Sequence, residues 1–216
     1  PLAGEDLVAG ATIAGLGVVG ATALQETPIR VREVRSGTTT SADGYQELIR
    51  RIPRADEGAA QIRIEHYDNA YVVYLGGTID AGVEPTGEPW DMTSNISAIA
   101  ELDSGSYNAA VAAMREAGIT AEDNVILVGH SQGGLVAAQL AASGNYTVSD
   151  VVTVGAPLHQ VELPAEVNLI AVEHAEDVIP SLSGVASTAT VASHITVTRS
   201  LYSTAAVPRG ELLPAH

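Results

Sequence analysis

Hydrophobic residues occur along this chain in short runs that alternate with helical patterns. The runs Asn124–Val128, Asp150–Val154 and Asn168–Val172 are mainly apolar and have the length of strands. A helical pattern, Gly133–Ala142, separates the first two, and Ser106 can cap an earlier helix. Apolar strands that alternate with helices favour a parallel sheet covered on both faces. The sequence therefore predicts an α/β fold with a mostly parallel, doubly wound sheet.

Three more runs add strands to this sheet. Gln61–His66 and Tyr71–Leu75 are separated by a short polar turn and predict a hairpin. His194–Arg199 follows a loop rich in Ser, Thr and Gly and predicts the last strand. Upstream, a connector with a short helix around Gly44–Arg51 is predicted. We therefore divide the chain into an N-terminal segment with its connector, residues 1–55, and an α/β domain, residues 56–216.

The most apolar stretch, Leu7–Leu24, is about long enough to span a bilayer as a helix. It contains four glycines, and acidic Glu5 and Asp6 precede it where a signal peptide carries basic residues. We predict a buried or amphipathic N-terminal helix. The alternatives to burial against the domain are self-association and membrane contact through this segment.

Composition narrows the classes of partner and chemistry. The chain has 216 residues, a net charge of −16, ten arginines and no lysine. Because no basic stripe is present, nucleic acid and an anionic membrane surface are not expected as partners. The absence of cysteine excludes disulfides, thiol catalysis and zinc–thiolate sites.

The segment Gly129-His130-Ser131-Gln132-Gly133 follows a predicted strand and opens a predicted helix. This is the context that a G-x-S-x-G nucleophile elbow requires. The sharp turn forces Ser131 into a strained backbone conformation, and Gly129 and Gly133 provide room beside it. The Ser131 hydroxyl would then stand at the carboxyl end of the strand, where the helix N-terminus favours negative charge.

A serine nucleophile requires a general base and a carboxylate that orients the base. Asp177 follows the predicted strand Asn168–Val172 and precedes an apolar Val-Ile-Pro, and His216 follows the last strand. Ligands of open α/β sheets bind outside the carboxyl ends of the strands, so both residues are predicted at the edge that carries Ser131. The predicted triad is Ser131, Asp177 and His216. The alternatives for the acid and the base are Glu173, Glu176 and His174.

The oxyanion that forms during acyl transfer needs preorganised N–H donors. One is predicted to be the backbone N–H of Gln132, directly after the nucleophile. The other is predicted to be Thr78, because Gly76-Gly77 before it permits a close backbone approach. The alternative is that Gly76-Gly77 is only a turn.

These residues resemble the α/β-hydrolase superfamily. Residues 129–134 are similar to the elbow of lipases, and the glutamine after the serine is similar to that of cutinases and their actinobacterial relatives. Residues 71–78, 151–157 and 177–180 resemble the oxyanion strand and the strand-and-acid region of the class 3 lipases. The resemblance implies hydrolysis of small-molecule or lipid esters by a Ser-Asp-His triad, without a cofactor or metal. Unlike cutinases this chain has no cysteine, and because it stops at His216 we expect the helix after the catalytic histidine to be missing.

Two functional hypotheses follow. The first is a serine hydrolase that acts on carboxylic esters. The second is a hydrolase-like scaffold that works as an assembly or interaction module, which the apolar segment and the position of His216 suggest.

Overall fold

The computed structural model describes residues 3–13, 29–54, 59–78, 105–158, 161–175 and 193–200. Within these residues the strands are β1 (Ala3–Ile13), β2 (Ile29–Thr40), β3 (Ile62–Tyr67), β4 (Ala70–Leu75), β5 (Asn124–His130), β6 (Thr147–Val154), β7 (Asn168–His174) and β8 (His194–Arg199). The helices are α1 (Tyr45–Arg50), α2 (Gly105–Glu116) and α3 (Gln132–Ala142).

The strands form one sheet in the order β2-β1-β3-β4-β5-β6-β7-β8. β1 pairs antiparallel with both β2 and β3, and β3 forms an antiparallel hairpin with β4. From β4 to β8 every neighbouring pair is parallel. The carboxyl ends of β4 to β8 therefore lie at one edge, which we call the carboxyl edge.

Helices cover both faces of the sheet. α2 and α3 pack on one face against buried strand residues such as Ile64, Val73 and Leu127. α1 packs on the opposite face, where Leu48 and Ile49 contact a smaller buried cluster. The predicted α/β fold with a mostly parallel, doubly wound sheet is confirmed.

Most predicted elements lie within a few residues of their predicted bounds. The strand predicted over Asn124–Val128 extends to His130, and the helix predicted from Gly133 begins at Gln132. The predicted hairpin is present as β3 and β4. α2 is followed by Gly118 at φ 80°, the left-handed conformation that glycine adopts after a helix.

The predicted N-terminal helix is wrong for residues 7–13, which belong to β1. Gly10 disfavours a helix because of its flexibility, and Val8 and Thr12 lose side-chain freedom there. As a strand, this segment is paired with β2 along its whole length, and residues 7–9 are also paired with β3. The rest of the predicted helix, residues 14–24, lies outside the described residues.

The predicted connector is also corrected in part, since β2 occupies Ile29–Thr40. Its pairing with β1 shifts register at Val8 and Ala9. The short helix predicted around Gly44–Arg51 is present as α1. Every helix in the described part of the chain is too short or too polar to span a bilayer.

A buried carboxylate, Glu65 of β3, joins the sheet to the residue that follows α1. Arg51 Nη1 donates to both Glu65 oxygens at 3.0 Å, and Arg63 Nη2 lies 2.7 Å from one of them. The hydroxyls of Tyr67 and Tyr74 donate to Glu65 at 2.9 and 2.7 Å. A buried charge is tolerated when it is paired and hydrogen-bonded in this way. The cluster therefore fixes the end of α1 against the sheet.

Because of this cluster, the free energy of unfolding should change with pH in the alkaline range. Burial, and then the hydrogen bond to Glu65, raises the pKa of Tyr67 from 10.0 to about 12. The unfolded chain therefore loses this proton first, and the free energy of unfolding should fall as the pH rises through 10 towards 12. We expect Tyr67→Phe to make this fall less steep and to cost about 2 kcal/mol at neutral pH, because the hydroxyl that donates to Glu65 and accepts from Arg51 is lost.

Urea denaturation of both proteins at pH 8 and pH 11 measures this effect. Tyr45→Phe is the matched control, because the Tyr45 side chain is 55% exposed. An equal pH dependence in the wild type and in Tyr67→Phe would contradict the prediction.

Candidate active site

Ser131 lies in the turn between β5 and α3, at the carboxyl edge. With φ 50° and ψ −119°, it is the one residue other than glycine with positive φ in the described part of the chain. Such a conformation costs about 1–3 kcal/mol and persists only where the surroundings hold it. Here Ser131 N–H donates to Val154 O at 2.8 Å, and the Ser131 carbonyl accepts from Gly134 N and Leu135 N. The strand, strained turn and helix that the motif predicts are therefore present.

The glycines of the motif allow three backbone segments to touch. A Cβ at Gly129 would overlap with the Gly133 carbonyl, and a Cβ at Gly133 would overlap with the carbonyl oxygens of Leu75 and Gly76. The start of α3 thus lies directly against the end of β4. This contact brings the loop after β4, which carries Thr78, beside the nucleophile turn.

Replacing Gly133 by alanine is expected to separate these segments. The added methyl meets backbone atoms, which cannot rotate away as a flexible side chain can. Overpacking of this kind costs about 3 kcal/mol. Urea denaturation measures the loss, and Gly37→Ala is the matched control, since nothing lies within 4 Å of a Cβ at Gly37. A Gly133→Ala protein as stable as Gly37→Ala would show that the contact is not close.

The two predicted oxyanion residues contact each other through their side chains. Gln132 is completely buried, and its Oε1 accepts a hydrogen bond from Thr78 Oγ1 at 3.1 Å. Its Nε2 donates to Ser106 Oγ, also buried, at 3.2 Å. The Gln132 side chain therefore joins the loop after β4, the start of α2 and the start of α3. The sequence indicated Gln132 only as a backbone donor.

The electrostatics of the turn favour an anion. Ser131 is the N-cap of α3, and the first turn of this helix contains no acidic residue. The N–H groups of the first helical residues have no acceptor within the helix, and the helix dipole places partial positive charge there. The backbone N–H of Gln132 is the first of these groups. A carbonyl oxygen that becomes negative beside Ser131 would be stabilised.

The predicted acid and base, Asp177 and His216, lie outside the described residues. The strands that precede them end at His174 and Arg199, which are register partners at the carboxyl edge. Both strands therefore end at the edge that carries Ser131.

The alternative base, His174, is the last residue of β7. It is partly buried, and among the described residues its buried Nδ1 has no hydrogen-bond partner. The alternative acid Glu173 directly precedes His174 on the same strand. Because successive side chains of a strand point to opposite faces of the sheet, Glu173 and His174 face different sides. Glu173 lies two residues after the buried Ala171 and faces the same side of the sheet, whereas His174 faces the other side. Glu176 lies outside the described residues.

Of the other described histidines, two lie at the edge of the sheet opposite the serine and one directly precedes the serine. His66 stacks on Tyr71, with ring centroids 4.2 Å apart, at the edge opposite the carboxyl edge. His194 opens β8 and lies at that opposite edge as well. His130 is exposed and lies over the loop after β4, where a Cβ at Gly77 would be 2.7 Å from its Nδ1. His159 lies outside the described residues.

The described residues contain no group of three or more His, Asp or Glu side chains placed to hold a metal ion. What they do bring together is a strained serine at the start of a helix and, through the contact between the Thr78 and Gln132 side chains, the loop after β4. A serine beside a helix N-terminus is one part of what acyl transfer through a serine requires, and a general base is another.

Residues 96–202 match the family model described as a PGAP1-like alpha/beta domain. The match covers just under half of the chain and includes Ser131 and Asp177, whereas Thr78 and His216 lie outside it. It supports a hydrolase-like fold of the α/β-hydrolase superfamily, but not class 3 lipases or cutinases in particular. The chain matches no curated protein and no solved structure.

Proposed function

We propose that the protein is a serine hydrolase that cleaves carboxylic esters. Ser131 is the nucleophile, His216 the general base and Asp177 the carboxylate that orients the base. The backbone N–H groups of Gln132 and Thr78 form the oxyanion hole. The substrate is a small-molecule or lipid ester, and the reaction needs no cofactor.

The reaction proceeds in two acyl-transfer steps. Ser131 Oγ attacks the ester carbonyl while its proton passes to His216, and the carbonyl oxygen takes up negative charge. Collapse of this tetrahedral intermediate releases the alcohol, which receives the proton from His216. Water then attacks the acyl-enzyme by the same path and releases the acid and free Ser131. Stabilisation of the oxyanion is typically the largest single contribution to such a rate.

The observation that carries the proposal is the conformation of Ser131. A serine held at φ 50° between a buried strand and a helix N-terminus is costly for the fold. An ordinary strand-to-helix turn does not need this strain. A hydroxyl that must stand free at the sheet edge, next to two N–H donors, gives the strain a function.

The proposal is tested by ester turnover together with covalent labelling. We expect the purified protein to hydrolyse p-nitrophenyl acetate or butyrate, and a fluorophosphonate probe to stop this turnover. Peptide mass spectrometry should then locate the phosphonate on Ser131. Absence of both turnover and labelling, or labelling of another serine alone, would overturn the proposal.

A further inference from the structure

The amide of Gln132 contacts two hydroxyls that come from distant parts of the chain. Thr78 and Ser106 flank residues 79–104, and both reach the same buried side chain. Gln132 is itself the first residue of α3 and directly follows the proposed nucleophile. One side chain therefore fixes the position of the loop after β4 relative to the nucleophile turn.

The direction of these hydrogen bonds limits what the Thr78 hydroxyl can do. A threonine hydroxyl has one hydrogen to donate. In this structure that hydrogen is directed to Gln132 Oε1, which is buried and has no solvent to replace it. While the bond persists, the hydroxyl cannot also donate to an oxyanion.

We propose that the Gln132 side chain is a positioning group for the oxyanion hole, and that the Thr78 hydroxyl is its anchor. Thr78 then serves catalysis through its backbone N–H alone. The inference rests on the proposed function and adds to it a division of roles within each of the two residues. In Gln132 the backbone N–H binds the oxyanion, and the amide side chain fixes the loop after β4 that carries Thr78. In Thr78 the backbone N–H binds the oxyanion, and the hydroxyl donates to the Gln132 side chain.

A positioning role has a kinetic signature that a third oxyanion donor does not share. Loss of one neutral hydrogen bond changes a rate by about 10-fold. If the hydroxyl is the anchor, Thr78→Val and Gln132→Met both remove the hydrogen bond between these two side chains, and Gln132→Met removes the bond to Ser106 as well. Each should lower kcat/KM about 10-fold, and the double variant should be no slower than the slower single variant. If the hydroxyl binds the oxyanion instead, Thr78→Val should be slow while Gln132→Met stays close to the wild type.

The experiment is this double-mutant cycle, measured on a p-nitrophenyl ester. A phenylboronic acid, whose adduct with serine is tetrahedral and anionic, provides a second readout. We expect its inhibition constant to rise by the same factor as kcat/KM falls, with KM nearly unchanged. Thr78→Ser, which keeps the hydroxyl, should recover most of the rate. Thermal unfolding of each variant shows that it is folded.

Two matched controls carry the same substitutions elsewhere. Gln139→Met lies two turns further along α3, and Thr147→Val removes a hydroxyl that donates to Ala121 O at 2.8 Å, at the opposite edge of the sheet. Both should retain wild-type kinetics. Suppose that the wild type is active. If the losses of the two single variants then multiply in the double variant, or if Gln132→Met is as fast as the wild type, this inference is wrong while the proposed function stands. A wild type without turnover or fluorophosphonate labelling would overturn the proposed function and this inference with it.

Discussion

Ser131→Ala is expected to abolish ester turnover and fluorophosphonate labelling while leaving the fold intact. Removing the nucleophile of a serine triad lowers kcat by about 10⁶-fold, because base, acid and nucleophile act as a unit. The fold should survive, since the Ser131 side chain makes no hydrogen bond that caps α3. Alanine also keeps the Cβ, so the strain at φ 50° does not increase. Turnover, labelling and urea denaturation measure the three parts of this result.

Ser143→Ala is the matched control at the other end of the same helix. Ser143 Oγ donates to Leu140 O at 2.7 Å, far along α3 from the proposed site. Its replacement should lower stability slightly and leave turnover and labelling unchanged. Turnover that persists in Ser131→Ala, with Ser143→Ala unaltered, would exclude Ser131 as the nucleophile.

The sequence predicted the parallel half of the sheet because its strands are buried on both faces. Val125, Leu127 and Val151 are completely buried, and such strands have continuous apolar sequences that stand out from loops. The nucleophile elbow was predictable for a different reason. Its requirements are local, since the glycines and the serine lie within five consecutive residues between one strand and one helix.

The N-terminal strand was not predictable by the same reasoning. A short apolar run does not distinguish a buried strand from a buried helix by periodicity. What decides the matter is pairing with residues far along the chain, such as Leu7 opposite Ile64. Nothing within Leu7–Leu24 itself contains that information.

The side-chain contacts of the site are non-local as well. Gln132 lies 54 residues from Thr78 and 26 from Ser106 along the chain. The motif identified Gln132 through its place after the serine, and Thr78 through the glycines before it. The Gln132 amide reaches Thr78 because β4 and α3 are in close contact, and only the packed structure shows this contact.

Asp177→Asn is expected to retain the fold and to lower kcat by about 10⁴-fold, the loss found when the carboxylate of a serine triad becomes an amide. The physical reason is that an amide can no longer stabilise the imidazolium that forms during proton transfer, and it favours the wrong tautomer of the base. Asp177 follows β7 by three residues, and β7 ends at the carboxyl edge beside β6 and β8. Single-turnover kinetics on a p-nitrophenyl ester measure the loss without interference from product release.

Glu173→Gln is the matched control, since it makes the same carboxylate-to-amide change near the end of the strand that precedes Asp177. Glu173 lies within β7 and is only partly buried. If Asp177 is the acid, Glu173→Gln should lower kcat far less than Asp177→Asn does, because Glu173 then takes no part in proton transfer. The reverse pattern, with a fast Asp177→Asn and a slow Glu173→Gln, would transfer the role of the acid to Glu173. Two fast variants would exclude both of these carboxylates as the acid and leave Glu176, the remaining alternative after β7, for the same substitution.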